Sequence, residues 1–325
     1  MGYGNYSHSA HQALIADRAA KPRKEVFSQR GCHALMDPRG LTVRESRDSD
    51  EHPNSLGIVF ALDVTGSMGN IPEMLARQEL PTFMKLLTDC HIPDPQVLFM
   101  AIGDATSDNA PLQVGQFETT AKLMDQWLTW SFLEGGGGGS GSESYELAFY
   151  VLAQHTDMDC WVKRKKKGFL FMSGDELPYP VVSRHQIEAL IGEKLDEDIP
   201  IEEVIAAASE TYHLFFLIPD LARRKQCESR WRELLGDRVI CMESHEDTCA
   251  VAAAIVGLTE GTLPNIDAVV DVLRNNGTTQ GRAAATVRAL QPYADLLDPN
   301  APQGVFRALS SIVPVRPTWW KKLFD

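Results

Sequence analysis

Short continuous runs of apolar residues recur along the middle of the chain, and segments with apolar residues at helical spacing separate them. The runs lie at residues 58–62, 97–102, 168–173, 213–218 and 238–242. Runs of this kind are typical of strands that are buried on both faces of a sheet. Because the strands alternate with helical segments, the pattern predicts an α/β protein with a doubly wound, mostly parallel sheet.

The helical segments follow from apolar residues spaced three and four positions apart. This spacing predicts helices at residues 74–87, 121–130, 145–152, 183–191, 200–212, 221–235, 247–258, 266–273 and 283–297. Pro81 interrupts the first helix, so we expect a kink or a restart there. Residues 112–118 instead alternate apolar and polar side chains, which indicates a half-exposed edge strand.

The alternating pattern is confined to residues 56–257, which we take as the main domain. Residues 1–55 are polar and charged and are predicted to form an N-terminal extension. Residues 258–325 are predicted to form a C-terminal helical extension. Both extensions carry apolar residues, so we expect them to pack against the main domain instead of hanging free.

Composition narrows the class of partner. Of the 325 residues, 44% are hydrophobic, which is enough for a large core. The formal charge of -13 argues against binding nucleic acid or anionic membranes through the net field. The chain starts without the layout of a secretory signal, and no apolar run approaches the length of a membrane span. We therefore expect a cytoplasmic protein with no nucleic-acid or membrane partner.

Oxygen-bearing side chains follow the first predicted strand. Asp63, Thr65 and Ser67 come within one tight turn, which Gly66 allows to bend sharply. Carboxylate and hydroxyl oxygens are the ligands that Mg²⁺, Mn²⁺ and Ca²⁺ prefer, whereas zinc sites usually recruit Cys or His. Taken alone, such a turn is more often a helix N-cap than a metal site.

Two further segments place polar residues at corresponding positions. The glycine run 135–139 leads into a loop with Ser140, Ser142 and Glu143, directly before a predicted helix. The apolar run 168–173 leads to Asp175. Strand C-terminal ends and helix starts are where open α/β sheets place their sites, so the three segments together predict a metal site.

The stretch Asp63-Val64-Thr65-Gly66-Ser67 resembles the D-x-S-x-S signature of the von Willebrand factor A domain family, with Thr65 in place of the first serine. The resemblance covers roughly residues 56–257. It implies a Rossmann-like sheet with one antiparallel edge strand and a metal-ion-dependent adhesion site.

By this resemblance, Mg²⁺, Mn²⁺ or Ca²⁺ would have Thr65, Ser67 and Ser142 as direct ligands, and Asp63 and Asp175 would supply negative charge. Ser140 and Glu143 are alternatives for the loop ligand, and Asp104 is a candidate for the outer shell or a turn-forming residue.

The resemblance also implies a function. In the family, the cation captures a carboxylate of a protein partner, and related bacterial intracellular domains work beside AAA-type ATPases, protein kinases or phosphatases. We therefore expect a non-catalytic adaptor that is not an enzyme. The alternative is a metal-dependent hydrolase of phosphate or acyl substrates, which would need a general base or a second metal at reacting distance.

Overall fold

The computed structural model describes residues 4–66, 68, 70–135, 141–219 and 221–297. Helices α1 to α13 are His8–Arg18, Arg23–Val26, Asn70–Met74, Leu80–Asp89, Ala121–Thr129, Tyr145–Gln154, Asp159–Arg164, Arg184–Leu190, Ile201–Thr211, Arg224–Leu235, Thr248–Thr259, Ile266–Asn275 and Gln280–Leu297. Strands β1 to β12 are Arg44–Ser46, Leu56–Asp63, Pro95–Ile102, Leu112–Val114, Ser142–Glu143, Thr156–Met158, Gly168–Ser173, Leu177–Pro178, Val181–Val182, Ile199–Pro200, Tyr212–Ile218 and Val239–Cys241.

A six-stranded sheet forms the centre, with strand order β12-β11-β7-β2-β3-β4. The neighbouring strands run parallel, except that β4 is antiparallel to β3. This confirms the prediction of an α/β protein with a mostly parallel sheet. From β2, the strands β3 and β4 are added in chain order toward one edge of the sheet. From β7, the strands β11 and β12 are added toward the other edge, so the order of strands reverses between β2 and β7.

The central strands are buried on both faces. Every residue of β2 and of β7 is buried, which explains why their sequences are continuous apolar runs. Phe60 of β2 lies against Phe83, Phe99 and Phe171, so aromatic rings from a helix and both neighbouring strands meet at the middle of the core. Among the helices, α4 packs against α11, and α6 packs against α9.

The predicted interruption near Pro81 is a local change of helix type. Helix α3 passes into a π-helical turn, Leu75–Glu79, and α-helical geometry resumes in α4 with Pro81 in its first turn. Proline has no amide hydrogen, so it is tolerated at a helix start, where that hydrogen bond is absent in any case.

The prediction of a half-exposed edge strand at residues 112–118 was wrong in extent and exposure. Only β4 forms, and all three of its residues are buried. The N-terminal extension covers the edge: the Val114 amide donates to Met36 O at 2.9 Å, and Arg44 donates to Val114 O at 3.3 Å. The polar Gln113 is buried because its side-chain amide exchanges hydrogen bonds with the backbone of Phe132.

The described parts of the two extensions, residues 4–55 and 258–297, pack against the main domain. Arg18 of α1 pairs with Asp125 of α5 through its two terminal guanidinium nitrogens, Nη1 and Nη2. Phe27, which follows α2, is buried in the hydrophobic core. On the C-terminal side, the Tyr293 ring of α13 packs edge-on against Phe215 of β11. None of the helices within the described ranges is long and apolar enough to cross a membrane.

Candidate metal centre

Two of the predicted carboxylates lie at the reversal point of the sheet. Asp63 is the last residue of β2, and Asp175 follows the end of β7, which is paired with β2 through Leu62 and Ser173. Both aspartates are 1% exposed. In open α/β sheets the crevice at such a reversal, outside the carboxyl ends of the strands, is the usual ligand site.

Asp63 is held by hydroxyl and amide donors. Its Oδ1 accepts from the Thr65 amide at 2.9 Å and from Thr65 Oγ1 at 2.5 Å, and its Oδ2 accepts from the Tyr145 hydroxyl at 2.6 Å. Burial raises the pKa of Asp63 to about 6, and the charge of Asp175 adds to this, while the three hydrogen bonds oppose it. Thr65 thus contacts Asp63 within the turn, while Ser67 lies outside the described residues.

The loop before α6 is fixed between two strand ends. Ser142 and Glu143 form β5, which pairs in parallel with β8 just after Asp175. On the other side, the Ser144 amide donates to Gly103 O at 3.1 Å, and Ser144 Oγ accepts from the Ala105 amide at 2.9 Å. The structure thus brings Ser142 and Glu143 to the same end of the sheet as Asp63 and Asp175. Ser140 lies outside the described residues.

Glu143 is the most unusual group in this loop. It is 4% exposed, and its Oε2 has no hydrogen-bond partner within the described residues. Burial raises the pKa of Glu143 to about 9, with further contributions from the negative charges of Asp63 and Asp104. A carboxyl group that is buried among other carboxylates, with one oxygen unpartnered among the described residues, favours either a proton or a cation.

Asp104 has the contacts of a turn-forming residue. Its Oδ1 accepts from the Thr106 amide at 2.9 Å and from the Tyr179 hydroxyl at 3.0 Å, and both of its oxygens accept from Thr106 Oγ1 at 2.8 Å. Burial opposes ionisation of Asp104, but these hydrogen bonds lower its pKa. The Asp104 charge nevertheless lies close enough to Glu143 to raise the pKa of Glu143.

Two residues that sequence reasoning missed contact the aspartates. Tyr145 is fully buried, with its ring edge-on to Phe216 and Trp231. Arg223 Nη1 lies 3.2 Å from Asp175 Oδ2. The sequence pattern counts Tyr145 only as an apolar position of the helix predicted at residues 145–152, and Arg223 follows β11, far from Asp175 in the chain.

Gly174 connects the Tyr145 contact to the Asp175 segment. A Cβ atom at Gly174 would lie 2.2 Å from the Tyr145 hydroxyl oxygen, so any side chain there would collide with the tyrosine. The absence of a Cβ lets the two segments approach closely. Tyr145 therefore contacts both Asp63 and the segment that carries Asp175.

The donor set consists of oxygen atoms, which suits a hard divalent cation better than zinc. Within the described ranges, no group of three or more His, Cys, Asp or Glu side chains has the geometry to hold a metal ion. The contacts explain this, because the Asp63 oxygens face Thr65 and Tyr145, and an Asp175 oxygen faces Arg223. The carboxylates are gathered at one place but do not converge on one point.

Comparisons with known proteins do not identify a family. No protein-family model matches the chain, and no curated protein matches it. Among solved structures, the open conformation of the pilus adhesin SpaC from Lactobacillus rhamnosus GG has 10% identity and a TM-score of 0.43 over 70% of this chain. Proximal thread matrix protein 1 from the mussel byssus has 11% identity and a TM-score of 0.39 over 69% of it. The chain spans 31% of the adhesin and 47% of the thread protein. Likenesses at this level establish neither a family nor a function.

Proposed function

We propose that this protein is a von Willebrand A-like adaptor that binds Mg²⁺, Mn²⁺ or Ca²⁺ at the sheet reversal and uses the cation to capture an acidic residue of a protein partner. The observation that carries the proposal is the gathering of three almost fully buried carboxyl groups, Asp63, Glu143 and Asp175, with one Glu143 oxygen unpartnered among the described residues. Buried like charges are costly, and a divalent cation offsets that cost.

The oxygen chemistry of the chain's own residues suits this role. Asp63 and Asp175 supply negative charge, and the hydroxyls of Thr65, Ser67 and Ser142 supply neutral oxygens. Thr65 Oγ1 donates its hydrogen to Asp63 Oδ1, which leaves the oxygen lone pairs available to a cation. A bound cation held by few anions and several neutral oxygens keeps residual positive charge and an exchangeable position for a partner's carboxylate.

The topology supports the same proposal, because β4 is an antiparallel edge strand in the segment where the resemblance implies one. The partner we propose is a component of a multi-protein system, such as an AAA-type ATPase or a protein kinase or phosphatase. The alternative of a metal-dependent hydrolase needs a general base or a second metal at reacting distance, and no contact among the described residues specifically favours it.

Titration calorimetry with Mg²⁺ and Mn²⁺ tests the site directly. We expect one site of micromolar to millimolar affinity in the wild type, lost in Asp63→Asn and in Asp175→Asn. Asp267→Asn, on the exposed side of α12, is the matched control for loss of one acidic charge and should bind like the wild type. Unchanged affinity in both site variants would remove the site assignment.

Partner capture is a separate test. Thr65→Val keeps the side-chain shape and removes the hydroxyl that donates to Asp63, so it should weaken metal-dependent capture and lower the unfolding free energy by about 1–2 kcal/mol while the protein still folds. The captured proteins should be compared among wild type, Thr65→Val and wild type in chelator by quantitative mass spectrometry. A partner recovered equally under all three conditions would place recognition elsewhere on the protein.

A further inference from the structure

We propose that Arg223 and the divalent cation compete for Asp175, so that in the metal-free protein the Arg223 guanidinium occupies the cation's place beside Asp175. The inference rests on the metal site of the proposed function. Asp175 is 1% exposed, and an ionised carboxylate at that depth requires a compensating positive charge. Arg223 supplies it, with Nη1 3.2 Å from Asp175 Oδ2.

The start of α10 is an unfavourable place for the positive charge of Arg223, and the contact with Asp175 offsets that cost. Arg223 directly precedes α10 with backbone angles that are already helical, and it makes no side-chain cap hydrogen bond. The next two residues are Arg224 and Lys225, and the first turn holds no acidic residue. Cations at a helix N-terminus oppose the helix dipole.

Of these three basic residues, Arg223 is the one with an ion pair to the candidate centre among the described residues. Arg224 pairs with Glu228, one turn along α10. The Arg223 side chain is 40% exposed, so it can leave Asp175 for solvent without unpacking the core. Its long, flexible stem makes that movement a change of side-chain rotamers.

The consequence is a linked equilibrium. A guanidinium and a divalent cation repel each other, so a cation that enters beside Asp175 displaces Arg223. Arg223 therefore stabilises the metal-free state and weakens the apparent metal affinity. By linkage, any change that removes the positive charge at position 223 must tighten metal binding and destabilise the metal-free protein.

The experiment measures Mn²⁺ affinity by calorimetry for wild type, Arg223→Gln, Arg223→Lys and Arg230→Gln. Arg230 is the matched control, because it lies on the same helix, is similarly exposed at 36%, and pairs with Glu202 and Glu233 instead of Asp175. We expect Arg223→Gln to bind Mn²⁺ about tenfold more tightly than wild type, equivalent to about 1.4 kcal/mol. Arg223→Lys keeps the charge and should stay close to wild type, as should Arg230→Gln.

Thermal unfolding supplies a second readout. Arg223→Gln should melt at a lower temperature than wild type in chelator, and saturating Mn²⁺ should raise its melting temperature by more than it raises that of the wild type. Affinity of Arg223→Gln equal to or weaker than that of wild type would overturn the competition while leaving the metal site in place. Failure of wild type and Arg223→Gln alike to bind metal would overturn the metal site itself, and the competition with it.

Discussion

The Tyr145 hydroxyl donates a 2.6 Å hydrogen bond to Oδ2 of Asp63, and both residues are fully buried. The bond joins the start of α6 to the end of β2, so the helix start fixes the orientation of the first carboxylate of the candidate centre. Burial, reinforced by the neighbouring Asp63 charge, raises the pKa of Tyr145 well above its ordinary value, so the tyrosine stays a hydrogen-bond donor.

Replacing this hydroxyl should affect both stability and metal binding. Tyr145→Phe leaves Asp63 Oδ2 buried with one hydrogen bond fewer, which we expect to cost about 2 kcal/mol of unfolding free energy. Loss of a group that orients a ligand typically weakens metal affinity by about tenfold or more. Urea unfolding and Mn²⁺ calorimetry measure the two effects.

Tyr293→Phe is the matched control. Tyr293 is also buried, and its hydroxyl bonds to Thr259 Oγ1 at 2.7 Å, away from the candidate centre. It should lose about 1 kcal/mol and keep wild-type metal affinity. Equal metal affinity in Tyr145→Phe and the wild type would show that Tyr145 has only a structural role.

Gly174 should tolerate no side chain. In Gly174→Ala the new Cβ would meet the Tyr145 hydroxyl oxygen at 2.2 Å and the ring carbon that bears it at 2.6 Å, so the Asp175 segment or the tyrosine must move. We expect a loss of about 1–3 kcal/mol in urea unfolding, the usual cost of overpacking. Gly281→Ala, which has open space around its Cβ in α13, should be neutral or slightly stabilising. Equal stability of the two variants would contradict the close approach at Gly174.

The Arg18–Asp125 pair tests how the N-terminal extension is attached. The side chains are 11% and 8% exposed, and burial raises the pKa of Asp125 even though Arg18 opposes the shift. The pair therefore gains little over an apolar contact, but breaking it strands a buried charge. Asp125→Asn should cost about 3 kcal/mol of unfolding free energy, whereas Arg18→Met combined with Asp125→Leu should recover most of that loss.

The control for this pair is Asp17→Asn in α1, which removes the acidic partner of Lys21, an exposed pair just beyond the end of that helix. An exposed pair of this kind contributes about 0–1 kcal/mol. If Asp125→Asn were no more destabilising than Asp17→Asn, the extension would not depend on the buried pair.

The parts of the centre that follow from local pattern could be predicted from the sequence. Apolar runs mark where β2 and β7 end, and parallel strands bring their carboxyl ends to one edge, so Asp63 and Asp175 could be expected together. Thr65 lies two residues from Asp63 in the same turn, and its hydrogen bonds follow from that spacing.

The contacts that tie the centre together could not be predicted in this way. Hydrophobic periodicity counts Tyr145 as an apolar helix position and does not show where its hydroxyl points. Arg223 lies near Asp175 because β11, which precedes Arg223, pairs with β7, which precedes Asp175. Gln113 is buried because the backbone of Phe132 offers it hydrogen-bond partners. Each of these contacts depends on which segments, distant in the chain, meet in the fold, and the local pattern of hydrophobic and polar residues does not show that.

The pH dependence of stability should report a buried histidine in the N-terminal extension. His11 is fully buried, its Nδ1 lies 3.0 Å from the Tyr6 hydroxyl, and its Nε2 has no partner within the described residues. Burial lowers the pKa of His11 to about 4, and the charge of Arg18 contributes in the same direction. The unfolded chain, with an ordinary histidine pKa near 6.5, therefore binds the proton more readily than the folded protein.

Stability should thus be unaffected by His11 above about pH 6.5 and should fall as the pH drops toward 4, by about 2 kcal/mol at pH 5. His11→Gln keeps a polar group opposite Tyr6 and cannot take up a proton, so its unfolding free energy should change less between pH 7.5 and pH 5. His185→Gln, at an exposed position of α8, should retain the wild-type slope. If urea unfolding gave the same slope for His11→Gln and the wild type, the acid sensitivity would come from other groups, of which His213, whose pKa is also lowered to about 4 by burial, is the next to test.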